Sequence, residues 1–348
     1  MTKLAIIGTG AVANEHVKRY REIDNCDVTS VYDIDEICSK DFAKKHNIKN
    51  VYKSIDELLD NKFIEGVSVT VPDEHHCSVS IKVMERGKAI LCEKPLAPKT
   101  SEAQLMVDIA KSSKVINMVN FSYRRTPVLQ MANNIIKSGG IGKIKHLEAT
   151  YLNGWLTHKV QGDWRTQPHQ LWRLSKSHGS NGVLFDLGSH LLDFVIFPAG
   201  DIVKVNCLLQ TLNKSPDDQI GEYYFDSNDS AIITAEFDNG AIGSMNITRW
   251  GTGHLRRIRL NIFADKGAIE IETEKSENEL QLCIDDDVEK ANFNTKLCPP
   301  VPTIYSRFVN SIQTGINEQP DFVQGLKVTK ILEACLISSK ERRSVDIE

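Results

Sequence analysis

Residues 4–13 read Leu-Ala-Ile-Ile-Gly-Thr-Gly-Ala-Val-Ala, an apolar run of strand length followed directly by a glycine-rich turn. In such a turn Gly8 allows a tight bend, Gly10 lets a pyrophosphate approach the backbone, and Ala13 lets the next helix pack closely. The phosphates would lie at the amino terminus of that helix, which we expect to begin near Ala11. A glycine pattern alone is weak evidence, but this one occupies the first strand-to-helix turn, as the motif requires. The predicted dinucleotide contacts in the turn are Gly8, Gly10, Ala11 and Val12.

Apolar runs of strand length alternate with longer amphipathic segments through residues 1–122. Regular alternation of strand and helix predicts parallel crossover units, which are right-handed for steric reasons and build a doubly wound sheet. We therefore predict an α/β Rossmann-type domain over residues 1–122. Its predicted strands are Leu4–Ile7, Val28–Tyr32, Val67–Val71, Ala89–Cys92 and Val115–Val119.

The pattern changes after Tyr123, where one helical stretch leads into long strands joined by turn signals such as Asp238-Asn239-Gly240. We therefore predict an α+β domain over residues 123–348 with a mainly antiparallel sheet. Apolar and charged residues do not alternate cleanly in its strands, so we expect both faces to be covered, one by helices and one by a partner subunit. The predicted hairpins join Ala231–Phe237 to Ala241–Trp250 and Ile258–Ala264 to Ala268–Thr273. The predicted helices are Val128–Ser138, Thr303–Thr314 and Phe322–Ser339.

The composition of the 348-residue chain is that of a metabolic protein: 41% hydrophobic, 25% charged, with a net charge of −4. A mildly acidic balance without a basic run argues against nucleic acid or a membrane as partner. Eight cysteines without a Cys-x-x-Cys pair suggest neither a zinc site nor a redox motif, and we predict no metal. Scattered thiols and the lack of a signal-like apolar run favour the cytoplasm.

Asp33 ends the second predicted strand, 25 residues after Gly8. This spacing is close to that of the acid that binds the ribose 2′-hydroxyl, and a carboxylate there repels a 2′-phosphate. Ile34 and Asp35 supply no arginine for such a phosphate, so we predict NAD, with NADP disfavoured. The alternative is that Asp33 only caps the following helix.

Glu93-Lys94-Pro95 follows the strand Ala89–Cys92. Ligands of an open parallel sheet bind outside the carboxyl ends of its strands, so Lys94 points towards a binding site. Considered alone, a strand-end lysine is usually a solvated charge. The glycine turn upstream supplies a cofactor for Lys94 to face.

Residues 179–197 form one of the most apolar stretches of the chain, and their ionisable side chains are Asp186, His190 and Asp193. Spacings of four and three place these three on one helical face. Buried ionisable groups are costly unless they are paired or used, and imidazole titrates near neutral pH. We predict His190 as a general base, with Asp186 positioning either His190 or the substrate, and a structural role for Asp193. A purely structural Asp–His hydrogen bond is the alternative.

Together, Gly8–Ala13, Asp33, Glu93-Lys94-Pro95 and Asp186-x-Gly188-x-His190 resemble the glucose–fructose oxidoreductase, inositol dehydrogenase and MocA family. The segment Thr70–His76 is similar to the end of the family's fourth strand. The resemblance implies cofactor contacts from Val71, Pro72, His76, Glu93 and Lys94. It also implies a cis peptide at Lys94–Pro95, and an open-faced second sheet that packs against a partner's in a homodimer or homotetramer.

The same resemblance implies that Lys94 polarises the reacting oxygen, His190 takes its proton, and Asp186 orients His190 and a sugar ring. The segment Asn153–His178 departs from the family pattern by its length and is rich in aromatic and basic residues. It can wall a sugar pocket or be a surface loop with buried tryptophans. The predicted substrate contacts are Lys94, Tyr123, Arg124, Trp172, Arg173, Asp186 and His190.

The sequence therefore predicts an NAD-dependent dehydrogenase that oxidises a secondary hydroxyl of a sugar, sugar derivative or cyclitol. A sensor that keeps the dinucleotide pocket without turnover is one rival, since fold does not fix function. A reductase of a non-sugar carbonyl is another, for which His190 is less necessary. A methyltransferase also carries a glycine loop after its first strand, but this chain lacks the acidic residue that often precedes it.

Overall fold

The computed structural model describes residues 1–348 except for the side chain of His169. His169 belongs to the segment Asn153–His178, so its expected contribution to a pocket wall lies outside the described residues. The chain forms two compact units, Met1–Ser122 with Pro302–Thr329, and Tyr123–Val301 with Lys330–Glu348. The α-helices are α1 (Ala13–Arg21), α2 (Glu36–Lys45), α3 (Ile55–Asp60), α4 (His76–Glu85), α5 (Thr100–Ser113), α6 (Pro127–Lys137), α7 (Pro168–Leu171), α8 (Ser189–Ala199), α9 (Asp286–Glu289), α10 (Ile304–Thr314) and α11 (Phe322–Glu341).

The first unit contains a six-stranded parallel sheet with the order β3-β2-β1-β4-β5-β6. Its strands are β1 (Thr2–Ile7), β2 (Cys26–Tyr32), β3 (Asn50–Val51), β4 (Gly66–Val69), β5 (Ala89–Cys92) and β6 (Asn117–Val119). The prediction of a doubly wound parallel sheet is confirmed. The order reverses between β1 and β4, and the crevice at such a reversal is where ligands bind in this architecture.

Helix α10 completes the core of the first unit, although it follows the second sheet in the chain. Thr303 caps its amino terminus by accepting a hydrogen bond from the Ser306 N–H, and Gly315 ends it with a φ of +73°. Its apolar face packs Tyr305 and Phe308 into the same buried cluster as Tyr20. The contiguous division at residue 122 did not anticipate this return, because the apolar face of an isolated helix does not say which sheet it covers.

The second unit contains a nine-stranded sheet with the order β16-β15-β14-β13-β7-β12-β11-β8-β17. Neighbouring strands run antiparallel except for β7 and β12, which are parallel. Its strands are β7 (Ile144–Leu152), β8 (Ile202–Gln210), β11 (Ser230–Phe237), β12 (Ile242–Thr248), β13 (Arg257–Ala264), β14 (Gly267–Glu272), β15 (Glu279–Ile284), β16 (Asn294–Leu297) and β17 (Val345–Asp346), while β9 (Gln219–Ile220) and β10 (Tyr223–Tyr224) form a separate ribbon. Both predicted hairpins are confirmed.

One face of the second sheet is buried and the other is open in the single chain. Buried and exposed residues alternate strictly along β11, and Ile232 on the open face is 51% exposed beside its cross-strand neighbour Leu208. Helices α6 and α8 pack on the buried side. Within one chain, therefore, the expected covering of both faces is met on one face only.

Among the described residues, none of the helices combines the length and the apolar character needed to cross a bilayer. The same residues contain no cluster of three or more His, Cys, Asp or Glu side chains arranged to hold a metal ion.

Candidate active site

The glycine turn after β1 has the geometry expected of a phosphate-binding turn. Gly8 has a φ of +92°, and a Cβ added there would lie 2.8 Å from the backbone of Thr70 and Val71, so only glycine fits. A Cβ on Gly10 would meet nothing within 4 Å, which leaves its backbone open to a ligand. Helix α1 begins at Ala13, two residues later than predicted, since Ala11 and Val12 still belong to the turn.

The carboxylate of Asp33 is fixed against this turn. Its Oδ2 accepts hydrogen bonds from the backbone N–H of Thr9 (2.6 Å) and from the Thr9 hydroxyl (2.9 Å), and its Oδ1 accepts from the Asp35 N–H (3.0 Å). The cap of α2 is Asp35, which accepts from the N–H groups of Ile37 and Cys38. The alternative that Asp33 caps this helix is therefore wrong, and a carboxylate beside the open Gly10 backbone fits a dinucleotide ribose.

The loop after β4 lies against the glycine turn. The strand ends at Val69 rather than at Val71, and the Thr70 hydroxyl donates to the carbonyl oxygens of Gly8 (2.6 Å) and Ile7 (3.1 Å). Val71 and Pro72 therefore leave the sheet beside the expected phosphate position. His76 begins α4, and its buried ring lies between the carbonyl oxygens of Val71 and Pro95.

Glu93 is the centre of a buried polar network. Its Oε1 lies 2.8 Å from His16 Nε2 and accepts from the side-chain amide of Asn120 (2.6 Å), which also donates to the Tyr305 hydroxyl (3.1 Å). Burial raises the pKa of this carboxyl, but the hydrogen bond and charge of His16, the Asn120 amide and Lys94 outweigh it and hold the pKa near 2. The network ties the lysine loop to helix α1 through His16.

Lys94 follows directly and is partly exposed. Its backbone N–H donates to the Glu93 carboxylate at 3.2 Å, and its peptide bond to Pro95 is cis. The predicted cis bond is confirmed. In the first unit the structure therefore gathers the glycine turn, Asp33, the loop after β4 and the lysine loop at the carboxyl ends of the parallel strands.

In the second unit Asp186 lies in a π-helical segment, Leu184–Gly188, that runs into α8. Asn228 holds its start, since its carbonyl accepts from the Val183 N–H and its side chain from the Leu184 N–H. The expected uninterrupted α-helical spacing from Asp186 to His190 is therefore locally wrong. A π-bulge is frequent at functional sites.

Asp193 and Arg124 form a buried bidentate ion pair. The Nε and Nη2 of Arg124 donate to the two oxygens of Asp193 at 2.7 and 2.6 Å, and the guanidinium lies 3.7 Å from the ring centre of Phe197. This geometry agrees with the structural role predicted for Asp193. The Arg124 guanidinium is buried in this pair with Asp193, which does not favour the substrate contact predicted for Arg124.

His190, in the first turn of α8, is partly exposed and packs against Tyr123. The two rings meet edge to face with centroids 5.2 Å apart, and the Tyr123 hydroxyl lies 2.9 Å from that of Tyr151. Burial and the neighbouring Tyr123 hydroxyl raise the pKa of Tyr151 well above its usual value, so Tyr151 stays neutral. Tyr123 is thereby held between His190 and a buried hydroxyl.

Arg249, at the end of β12, is a site residue that the sequence analysis missed. Its Nη2 donates to Asp186 Oδ2 at 3.0 Å and its Nη1 to the Arg173 carbonyl at 2.8 Å, while its side chain is almost fully buried. The Asp186 carboxylate is 37% exposed, so one part of it faces Arg249 and another faces solvent. The available signal was that Arg249 is the one charged residue in the apolar stretch Ala241–Trp250.

The segment Asn153–His178 folds around a small core of its own. Trp155 and Trp164 are buried in it together with Phe225, and the Trp164 ring nitrogen donates to the Leu156 carbonyl. Trp172 differs, because it is 39% exposed and carries the Arg173 guanidinium 4.7 Å from its ring centre. Two tryptophans thus build the segment, while Trp172 is exposed and the next residue, Arg173, contacts Arg249 through its carbonyl.

Comparison with known proteins agrees with both units. The family model for an oxidoreductase family with an NAD-binding Rossmann fold matches residues 2–121, and that for the GFO/IDH/MocA C-terminal domain matches residues 129–270. A levoglucosan dehydrogenase from Pseudarthrobacter phenanthrenivorans is 28% identical over 343 residues, covering 88% of this chain and 85% of that protein. A myo-inositol 2-dehydrogenase from Thermotoga maritima is 23% identical over 268 residues, covering 77% and 74%.

Solved structures give the same result. A levoglucosan dehydrogenase in complex with NADH and levoglucosan superposes with a TM-score of 0.87 at 26% identity, covering 100% of this chain and 99% of the other. An oxidoreductase domain protein from Kribbella flavida gives 0.84 at 27% identity, with 100% of both chains covered. The chain belongs to the GFO/IDH/MocA family of oxidoreductases, and its first domain is that family's NAD-binding Rossmann domain.

Proposed function

We propose that this protein is an NAD-dependent dehydrogenase that oxidises a secondary hydroxyl of a sugar, sugar derivative or cyclitol. The observation that carries the proposal is the Asp186 carboxylate held by buried Arg249, one helical turn before His190, in a chain whose relatives are named sugar dehydrogenases. An acceptor fixed in this way suits a ring with several hydroxyl groups.

In the proposed reaction Lys94 donates a hydrogen bond to the reacting oxygen and stabilises the negative charge that develops there. His190 accepts the hydroxyl proton as general base. Asp186 accepts a hydrogen bond from the substrate and helps to orient His190. The bound NAD⁺ supplies the hydride acceptor, so that the alcohol becomes a carbonyl while one hydride and one proton leave its carbon and oxygen.

Asp33 supports NAD rather than NADP as the cofactor. Its carboxylate is pre-oriented by Thr9 and Asp35, and it would repel a 2′-phosphate at the position where it accepts a 2′-hydroxyl. We propose Gly8, Gly10, Ala11 and Val12 as the pyrophosphate contacts. The loops after β4 and β5 would lie beside the nicotinamide, with contacts from Val71, Pro72, His76 and Glu93.

Trp172 and Arg173 are the proposed substrate contacts outside the catalytic group, with Tyr123 beside His190. An exposed indole face with a guanidinium on it offers an apolar plane and donors for hydroxyl groups. The open face of the second sheet supports a homodimer or homotetramer, because Ile232 on β11 and Leu208 on β8 form an exposed apolar pair on that face. The free cysteines are consistent with the cytoplasm that we propose as its location.

The test is a panel of sugars and cyclitols assayed with NAD and with NADP, read by the absorbance of the reduced cofactor. We expect turnover with NAD, and a loss of at least about 100-fold in kcat for Lys94→Ala and for His190→Ala. The matched controls are Lys99→Ala for the lysine and His75→Ala for the histidine, which change exposed side chains outside the proposed site and should keep the wild-type rate. Binding of NADH without turnover of any polyol would instead favour the sensor.

Near wild-type activity in the Lys94 variant would refute its proposed role, and full activity in the His190 variant would favour a reductase of a non-sugar carbonyl. The subunit number is tested separately by light scattering. Ile232→Glu should lower the oligomeric mass, whereas Phe63→Glu, an exposed apolar residue of the first unit, should not.

A further inference from the structure

The ring of His76 is enclosed at the start of α4, with 1% of the residue exposed. Its Nδ1 lies 2.8 Å from the Pro95 carbonyl oxygen, and its Nε2 lies 3.0 Å from the Val71 carbonyl oxygen. A backbone carbonyl only accepts hydrogen bonds, so each ring nitrogen must carry a proton to bond its neighbour. A histidine carries both protons only as the imidazolium cation.

The neutral ring fits this enclosure poorly. Whichever nitrogen loses its proton directs a lone pair at a carbonyl oxygen, and the hydrogen bond between that nitrogen and that buried carbonyl is lost. Burial by itself lowers the pKa of His76, but the Cys92 sulfur on β5, the Asp73 carboxylate before α4 and the Pro95 carbonyl outweigh it and raise the pKa to about 10.

The two carbonyl groups belong to the two loops that flank the proposed nicotinamide position. Val71 directly follows Thr70, whose hydroxyl is bonded to the glycine turn, and Pro95 directly follows Lys94. The side chain of His76 thus joins the loop behind the dinucleotide turn to the loop that carries Lys94, within a single unit of the chain.

We propose that His76 is a buried imidazolium cation in the folded protein and that it is a positioning residue, clamping the Val71 and Pro95 carbonyls so that Lys94 is held in its reactive place. The effect on Lys94 rests on the proposed dehydrogenase function, whereas the charge of the ring does not. His76 acts through the backbone on either side of the cofactor and takes no proton from the substrate.

The charge is tested by ¹⁵N NMR of histidine-labelled protein at pH 8.5, where ordinary histidines are neutral. We expect the His76 ring to carry a proton on both nitrogens, and we expect its signal to disappear in His76→Asn or His76→Gln and to persist in the exposed neighbour His75→Asn. Ten neutral rings in the wild type at this pH would overturn the proposal, whichever variants fold.

The positioning role is tested by kinetics and by unfolding. In a folded His76→Asn protein kcat should fall at least tenfold with a smaller change in the KM for NAD, and His75→Asn should match the wild type. A raised pKa means that the stabilisation is complete below pH 6.5 and is lost as the pH rises towards 10. Between pH 6.5 and 10 the denaturant concentration at the unfolding midpoint should therefore fall more for the wild type than for His76→Asn. A folded His76→Asn enzyme with the wild-type kcat would overturn the proposed clamp.

Discussion

Replacing Gly8 and Gly10 by alanine, one at a time, separates the folding role of the glycine turn from its binding role. At Gly8 a methyl group would lie 2.8 Å from backbone atoms of Thr70 and Val71, in a backbone conformation with a φ of +92°. At Gly10 the methyl group meets no protein atom within 4 Å. The two variants add the same group to the same turn, and they differ in the backbone conformation at the site and in what the added group meets.

For Gly8→Ala the left-handed conformation alone costs about 1–2 kcal/mol in a residue with a Cβ. The contact with backbone atoms adds to this, because neither Thr70 nor Val71 can rotate away as a side chain would. We expect a loss of at least about 2 kcal/mol in the free energy of unfolding. For a domain of this size, such a loss lowers Tm by about 4–8 °C.

For Gly10→Ala the free energy of unfolding should stay within about 0.5 kcal/mol of the wild type, since the methyl group is added to open space. That space is where the pyrophosphate is expected to approach the backbone. We expect the affinity for NADH to fall at least tenfold, which corresponds to about 1.4 kcal/mol.

The assays are thermal unfolding without cofactor and calorimetric titration with NADH. Gly87→Ala is the matched control for the first effect, because Gly87 has a φ of +65° with nothing within 4 Å of its added Cβ, and it should lose less stability than Gly8→Ala. The reasoning fails for Gly10 if its alanine variant binds NADH as tightly as the wild type. It fails for Gly8 if Tm does not change.

Three further predictions concern side chains. Replacing Arg249 by Met releases the Asp186 carboxylate and should lower kcat/KM about 10–100-fold in steady-state assays. Arg249→Lys should recover part of the lost kcat/KM, and equal values in the wild type and both variants would contradict this. Because the pKa of Glu93 is held near 2, its carboxylate stabilises the fold above pH 4.5, and this stabilisation is lost as the pH falls towards 2. In urea unfolding, the free energy of unfolding of the wild type should fall by about 3 kcal/mol over this range, and that of Glu93→Gln should not. Parallel pH profiles of the two proteins would refute this. Trp164→Ala should lower the free energy of unfolding by about 3–5 kcal/mol, because Trp164 is buried. Trp172→Ala should raise the KM for the sugar with little loss of stability, because Trp172 is exposed. The reverse pattern would contradict the roles given to the two tryptophans.

Local patterns were enough to predict the first sheet, since each buried parallel strand is a continuous apolar run bounded by turn residues. They were not enough for β3, because Asn50–Val51 is too short to carry any periodicity. The glycine turn and Asp33 could be predicted because each depends on a few adjacent residues, whereas the cis bond at Lys94 was expected from the family resemblance. The capping role of Asp35 shows the limit, as two carboxylates two positions apart look equally suitable.

The remaining features depend on residues far apart in the sequence. Arg249 reaches Asp186 only because β12 and the π-helical segment meet in the folded unit, 63 positions apart. The π-helical segment itself leaves no sign in an apolar periodicity. The burial on one face of β11 likewise depends on where α6 and α8 pack, which a strand's own sequence does not specify.

The return of Pro302–Thr329 to the first unit has a consequence for synthesis of the chain. When Ser122 leaves the ribosome, the surface that Tyr20 presents to α10 has no cover, since Tyr305 and Phe308 are made roughly 180 residues later, about 9–36 s at ordinary translation rates. The nascent Rossmann unit is thus exposed to chaperones during that interval. A fragment that stops at residue 122 should aggregate, whereas the same fragment co-expressed with a peptide spanning residues 302–329 should recover its missing core.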